Sequence, residues 1–412
     1  MNFFQEYKKI FLIIGFISVV FILGYFIYSL FFKTSLKPKP IETTPISTST
    51  GSGLPSSPEG GGQIITEQEE QNLPDTNDTA TTASDETAKG GITKTEELTK
   101  SASLGAIIGK DGSGLQYYNK DDGKFYRIDK NGNAELLSDK VFYNVQEVTW
   151  SPVKDKAILE YPDGANVVYD FNTNKQITLP AHWKDFNFSP DGSQIILKSI
   201  GLDPDNRWLA ISNEDASKVK PIEAIGLNEA NVYPSWSPSQ QTIAIYTEGV
   251  DFNRQEIFFV GQNGENFKST IIEGRGLQSK WSPSGDRLLY SVYSNDNDYK
   301  PLLWIVGAAG EDIGSGRKSL EIETWADKCV FQNQSDVYCA VPDSLEKGAG
   351  IFPELAKNTV DKIYKINSVT GIKTLVAIPD SAHNASNLII SDDEKYLYFT
   401  DNNSGKIYKI NL

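Results

Sequence analysis

Side chains able to do chemistry are few in this chain, and their spacing limits what they could do. There are two histidines and two cysteines in 412 residues. His182 lies in LPAHWKD and His383 in PDSAHNAS. Two imidazoles do not build a histidine-rich metal centre, and each reads as an ordinary loop histidine. A serine hydrolase of the α/β type needs its nucleophile on a G-x-S-x-G elbow, followed by Asp and His. No such motif occurs. The expectation is a chain without catalytic residues, metal or cofactor.

The cysteines say more. Cys329 and Cys339 flank the segment KCVFQNQSDVYCAV. Read as a hairpin turning at residues 333–335, it sets the two cysteines opposite each other on adjacent strands, within the Cα separation a disulfide tolerates. The alternative is a pair of buried free thiols, the usual state in cytosol. The pairing favours the disulfide, which implies an oxidising compartment.

A third group is acidic. Asp121, Asp122, Asp163, Asp203, Asp205, Asp251, Asp296, Asp298 and Asp401 sit in the short segments NKDDGK, PDGAN, GLDPDNR, EGVDFN, SNDNDYK and TDNNSG. Asp and Asn are turn residues, and that alone accounts for them. The sharper reading is an acidic face that attracts a basic partner or Ca²⁺. No segment completes a D-x-[DN]-x-[DN]-G calcium loop.

The elements that must carry these residues recur along the chain. WSPVKDKAILEYP begins at Trp150, FSPDGSQIILKS at Phe188, WSPSQQTIAIYTE at Trp236 and WSPSGDRLLYSVY at Trp281; a weaker copy, ISDDEKYLYFTD, begins at Ile390. With Phe331 as a further anchor, the spacings are 38, 48, 45, 50 and 59 residues. The copy from Tyr233 holds four strand-like runs: YPSWSP, TIAIYTE, EIFFVGQ and KSTIIEG. Four strands per 40–50 residues is the period of a β-propeller, whose blades bury their faces against one another. One more unit fits before the first anchor, at GAIIG, LQYYN, KFYRID and AELLS. The fold class expected is therefore all-β, a propeller over residues 105–412 with seven blades, or six if the first and last partial units merge. The last unit ends after three strands, at KIYKINL.

The pattern aromatic-Ser-Pro-Asp/Ser-Gly/Gln-x-x-Ile/Leu-x-Tyr resembles the PD40 repeat from about residue 147 onward. That repeat builds the propellers of TolB-like periplasmic proteins and of dipeptidyl peptidase IV-like hydrolases. The resemblance implies a propeller. It does not carry over a TolB role, because a membrane-span pattern and a linker stand where TolB-like proteins have a small α/β domain.

The N-terminal part differs in composition. Residues 1–9 form a short tail, and residues 10–32 contain no charge. At about 1.5 Å per residue, such a helix is long enough to cross a hydrocarbon core of about 30 Å. Its length and the lack of an A-x-A-like exit favour a retained anchor over a cleaved signal peptide. Lysines flank both ends, so the positive-inside rule does not orient it. Residues 33–104 lack periodicity and read as a disordered acidic linker rich in Pro, Ser, Thr and Gly. With a net charge of −15 and no basic run beyond the flanking lysines, nucleic acid is excluded as a partner.

One loop stands out for length. Residues 341–361, VPDSLEKGAGIFPELAKNTVD, replace a short turn and offer Ile351, Phe352, Pro353 and Leu355 as an apolar contact. The functional expectation is a single-pass protein of the cytoplasmic membrane. Its propeller faces the periplasm or exterior and serves as a non-catalytic binding or scaffolding module for a protein partner in the envelope. The alternatives are the propeller subunit of a split prolyl-oligopeptidase-like hydrolase, or a propeller enzyme.

Overall fold

The computed structural model describes residues 84–412, together with residues 18, 19, 21–23 and 25, which are helical. The remainder of the expected span and most of the expected linker lie outside the described residues. Among the described residues no helix is long and apolar enough to cross a membrane. The chain divides into Met1–Thr76 and Asn77–Leu412; the second unit holds all the described strands.

Those strands form seven sheets, each built on four antiparallel strands and one of them extended by a parallel fifth, and this is a seven-bladed β-propeller. Blades 1 to 7 span residues 103–136, 147–179, 183–224, 232–273, 275–319, 329–379 and 385–411. First strands of neighbouring blades touch around the axis, as in blades 1 and 2, 6 and 7, and 7 and 1. Blade connections and the loops between second and third strands share one face, here called the loop face. Hairpins between first and second strands, and between third and fourth, share the opposite, turn face.

The recurring serine motif, Ser-Pro in four blades and Ser-Asp in blade 7, makes turn-face hairpins. At Ser151, Ser189, Ser237, Ser282 and Ser391, the serine carbonyl accepts the N–H three residues on, and the serine N–H donates to the carbonyl five residues on. The third residue after each serine is left-handed: Lys154, Gly192, Gln240, Gly285 and Glu394, with φ between 58° and 73°. Gly192 and Gly285 are required for a second reason. A Cβ on Gly192 would lie 2.6 Å from Ser151 Oγ of the preceding blade, and one on Gly285 would meet Ser237 Oγ. Successive turns therefore nest on one another around the ring.

There is no single core. Seven apolar clusters fill the seven blade interfaces. Blade 5 shows how one strand serves two of them: Leu288, Tyr290 and Val292 face blade 4, while Leu289 faces blade 6. Alternate side chains point to opposite sheet faces, so a strand sandwiched on both sides reads as a continuous apolar run. RLLYSVY is such a strand.

The sequence reading extends the linker to residue 104, and here the structure differs. Glu96–Glu97 pairs antiparallel with Ile407–Asn411 and supplies the missing fourth strand of blade 7. Ile92–Thr93 pairs parallel with Lys373–Pro379 and adds a fifth strand to blade 6. Ala88 N–H donates to Asn411 O and Leu98 N–H to Ile407 O, at 2.8 and 2.9 Å. Lys409 Nζ reaches Glu96 at 2.7 Å, and Lys406 Nζ reaches Glu97 at 2.9 Å. The segment has no aromatic run because its strands are outermost and bury little; backbone hydrogen bonds and ion pairs hold it.

Truncation tests this closure. A chain beginning at residue 84 should melt like one beginning at residue 77. A chain beginning at residue 100 should melt at least 10 °C lower or fail to fold, on the scale of a domain losing several hydrogen bonds of about 1 kcal/mol each. Equal melting temperatures for all three would show that blade 7 closes without the N-terminal strands.

Candidate binding face

The predicted aspartates lie toward the loop face, one or two in every blade except blade 6, spread around the ring rather than gathered. Most are committed to their own turns. Asp122 accepts Lys124 N–H at 3.1 Å and Tyr126 Oη–H at 2.6 Å. Asp163 accepts Ala165 N–H, Asp203 accepts Asp205 N–H, and Asp251 accepts Asn253 N–H. Asp251 also pairs with Arg254, and Asp298 with Lys347 at 3.1 Å. Asp401 is buried and accepts Asn384 N–H at 3.0 Å. All of these aspartates but Asp122 and Asp401 are exposed. Among the described residues no three His, Cys, Asp or Glu side chains converge to hold a metal ion.

The histidines are not brought together. His182 is exposed in the connection between blades 2 and 3. His383 is buried between blades 6 and 7, its ring against Tyr408 and Phe399, with Nε2 2.8 Å from Ser381 Oγ. Burial holds its pKa below the ordinary value. Cys329 and Cys339 are a registered pair on adjacent strands of blade 6, buried and joined by a disulfide.

The long loop is folded, not loose. Leu345, Ala349 and Ala356 pack on Trp325 as a small cluster of their own. Gly348 and Gly350 donate N–H to the carbonyls of Asp298 and Tyr299 in the blade 5 loop, at 2.9 and 2.8 Å. Asn384 Nδ2 donates to Ala356 O at 2.7 Å. The loop thus caps the junction of blades 5, 6 and 7, ending in a 3-10 turn at Pro353–Ala356. Its inner side chains are consumed by packing, while Ile351, Phe352 and Leu355 stay exposed at 40%, 54% and 39%.

Beneath this cap lies a polar network that spacing does not disclose. Lys328 Nζ is 2.7 Å from Asp361 Oδ2 and 3.1 Å from Asn384 Oδ1, with all three side chains buried. Asp361 Oδ2 also accepts Ala385 N–H at 2.6 Å, tying blade 6 to blade 7. Burial pushes the Asp361 carboxyl up, against the pull of Lys328. Beside them, Lys280 Nζ donates to Cys329 O at 2.6 Å, and desolvation lowers its pKa. A cavity of about 260 Å³ opens here between Gln278, Asp327, Lys328, Lys357, Asn384 and Asn402.

A larger cavity, about 840 Å³, lies on the loop face of blades 2 and 3, lined by Glu147, Glu160, Asp163, Trp183, Lys184 and Asp185 among others. Glu147 and Glu160 are directly opposite in register. Like charges so placed repel. Burial, then Glu147, then Asp185 push the Glu160 carboxyl up to about 7. Burial and Asp185 also raise Glu147. Asp185 is held by Lys198 Nζ at 2.6 Å. The missed signal was available: two glutamates stand symmetrically about the blade 2 hairpin turn.

No family model matches the chain, and no curated protein matches it. Solved structures do. An oligogalacturonate lyase in complex with manganese is 15% identical over 77% of this chain and 93% of that one, with a TM-score of 0.49. The oligogalacturonate lyase of Vibrio parahaemolyticus is 11% identical over 77% and 93%, with a TM-score of 0.49. The propeller domain of Cps50 (Swd1) from Myceliophteria thermophila is 11% identical over 77% and 99%, with a TM-score of 0.48.

Two measurements check these sites. Lys328→Met strands the buried Asp361 carboxyl and should cost about 3–5 kcal/mol in denaturant unfolding, whereas Lys328→Met with Asp361→Leu should recover much of the loss. Equal loss in both would mean that the pair is not the structural unit. For Glu160, the folded carboxyl titrates near 7 against an ordinary 4.5. The unfolded chain therefore ionises first, and stability falls as pH rises between those values. Wild type should lose several degrees more of melting temperature than Glu160→Gln between pH 5 and pH 8; parallel curves would contradict this.

Proposed function

We propose that this chain is a membrane-anchored, extracytoplasmic propeller that works as a non-catalytic protein-binding module of the cell envelope, gripping its partner through the loop face. The observation carrying the reading is the cap on blade 6. A loop fixed by backbone hydrogen bonds and a buried tryptophan holds Ile351, Phe352 and Leu355 out in solvent. Exposing apolar side chains on a rigid support costs free energy that a partner recovers by covering them. The charge-free run at residues 10–32 supports anchoring, and the Cys329–Cys339 disulfide supports the oxidising side of the membrane. The PD40-like motif fits this setting.

The test is crosslinking in native membranes with wild type and with the triple variant Ile351→Ser, Phe352→Ser, Leu355→Ser. All three side chains are exposed, so the melting temperature should hold within about 2 °C, while the crosslinked partner species should be lost. Replacing the whole loop would be less clean, because it uncovers Trp325. Capture that persists in the folded variant would remove the cap from the function. Added protease should cut the chain in intact spheroplasts; protection until lysis would overturn the extracytoplasmic placement.

A further inference from the structure

The exposed apolar side chains of the ring are unequally shared between its faces. The turn face carries Val153, Val219, Val369 and Ile372, with no aromatic among them. On the loop face, apart from the cap, Leu202 is fully exposed, Phe252 is 94% exposed, Leu227 is 81% and Tyr143 is 71%. Leu202 tips the blade 3 loop, Leu227 the connection from blade 3 to blade 4, and Phe252 the blade 4 loop. Tyr143 lies in the connection from blade 1 to blade 2. In ring order they bracket the cavity of Glu147, Glu160 and Asp185.

Charge follows the same sector. Leu202 is succeeded by Asp203 and Asp205, Leu227 by Glu229, and Phe252 is preceded by Asp251. Arg254 neutralises Asp251, and Arg207 approaches Glu229 at 3.6 Å. Asp203 and Asp205 have no such cation among the described residues. Among the described residues, the one cation lining the cavity of Glu147, Glu160, Asp163 and Asp185 is Lys184, at the exposed rim; Lys198 reaches Asp185 and is paired there. Glu160 Oε1 is buried and has no hydrogen-bond donor among the described residues, and the Asp185 backbone N–H only partly offsets the upward push on that carboxyl. A cation entering from solvent would meet that oxygen and relieve the repulsion between Glu147 and Glu160. An anionic lipid surface would be repelled.

We infer that blades 2 to 4 of the loop face dock a basic, amphipathic protein segment: a Lys or Arg side chain enters the cavity of Glu147, Glu160 and Asp185, and flanking apolar side chains seat on Leu202, Leu227 and Phe252. This deepens the proposed function by assigning partner chemistry, but it uses a sector separate from the blade 6 cap. Interfaces commonly join buried cation anchors to apolar contacts in this way.

The experiment uses Asn77–Leu412, the unit that contains every described strand and closes its own ring. Two fluorescein-labelled peptides of alternating Leu and Lys, or Leu and Glu, with equal apolar content, are titrated at 150 mM salt and read by anisotropy. The Leu/Lys peptide should bind and the Leu/Glu peptide should not. Glu147→Gln with Glu160→Gln should weaken binding at least tenfold. Leu202→Ser with Phe252→Ser, which disturbs no packing, should weaken it at least threefold. The Ile351, Phe352 and Leu355 triple variant should bind the peptide like wild type, so failure here is distinguishable from failure of the cap. Unchanged affinity in the glutamine variant, equal binding of both peptides, or preferential binding to phosphatidylglycerol vesicles would each overturn the assignment.

Discussion

A sheet that is apolar on both faces cannot be stable alone, and every blade of this protein is such a sheet. Its second and third strands feed clusters on either side, so each blade needs two neighbours. Only a closed ring gives the first and last blades theirs. Closure falls to a few residues: Glu96–Glu97 completes blade 7 from the opposite end of the sequence, and Ile92–Thr93 clips the same segment to blade 6. The interface of blades 7 and 1, where Tyr398 and Ile407 meet Leu115 and Tyr117, is formed by residues some 280–290 positions apart. Everything presented on the loop face inherits its position from that closure.

Local chemistry was the legible part. The serine hairpins announce themselves because one serine and one left-handed position satisfy a complete turn, with proline after the serine in four of the five. Cys329 and Cys339 were placed opposite each other for the same reason, since a hairpin's register follows from its turn. The closing strands were not legible. They are two residues long, carry one apolar side chain between them and pair with strands some 280–310 positions away, so neither period nor composition marks them. Lys328 and Asp361 meet only because blade 6 brings the start of its first strand beside the start of its third. Most of the aspartates do sit in turns, and their spread around the ring follows from there being one such loop per blade.

The two faces follow from this division of labour. The turn face is stereotyped because its hairpins nest on one another, which leaves little freedom for variation. The loop face is under no such restraint, and the chain places there its one folded cap, its larger acidic cavity and its exposed aromatic tips. A rigid ring holding varied loops suits recognition, since little conformational entropy is lost when the loops engage a partner.

The central claim is that the loop face is covered in the protein's native setting. Hydroxyl-radical footprinting of the full chain, in isolated membranes and after purification, tests it without knowing the partner. The account predicts that Phe252, Leu202 and Phe352 are strongly oxidised in purified protein and protected in membranes, while Val153, Val369 and Ile372 on the turn face react equally in both. Equal oxidation of the loop-face residues, or protection confined to the turn face, would contradict it.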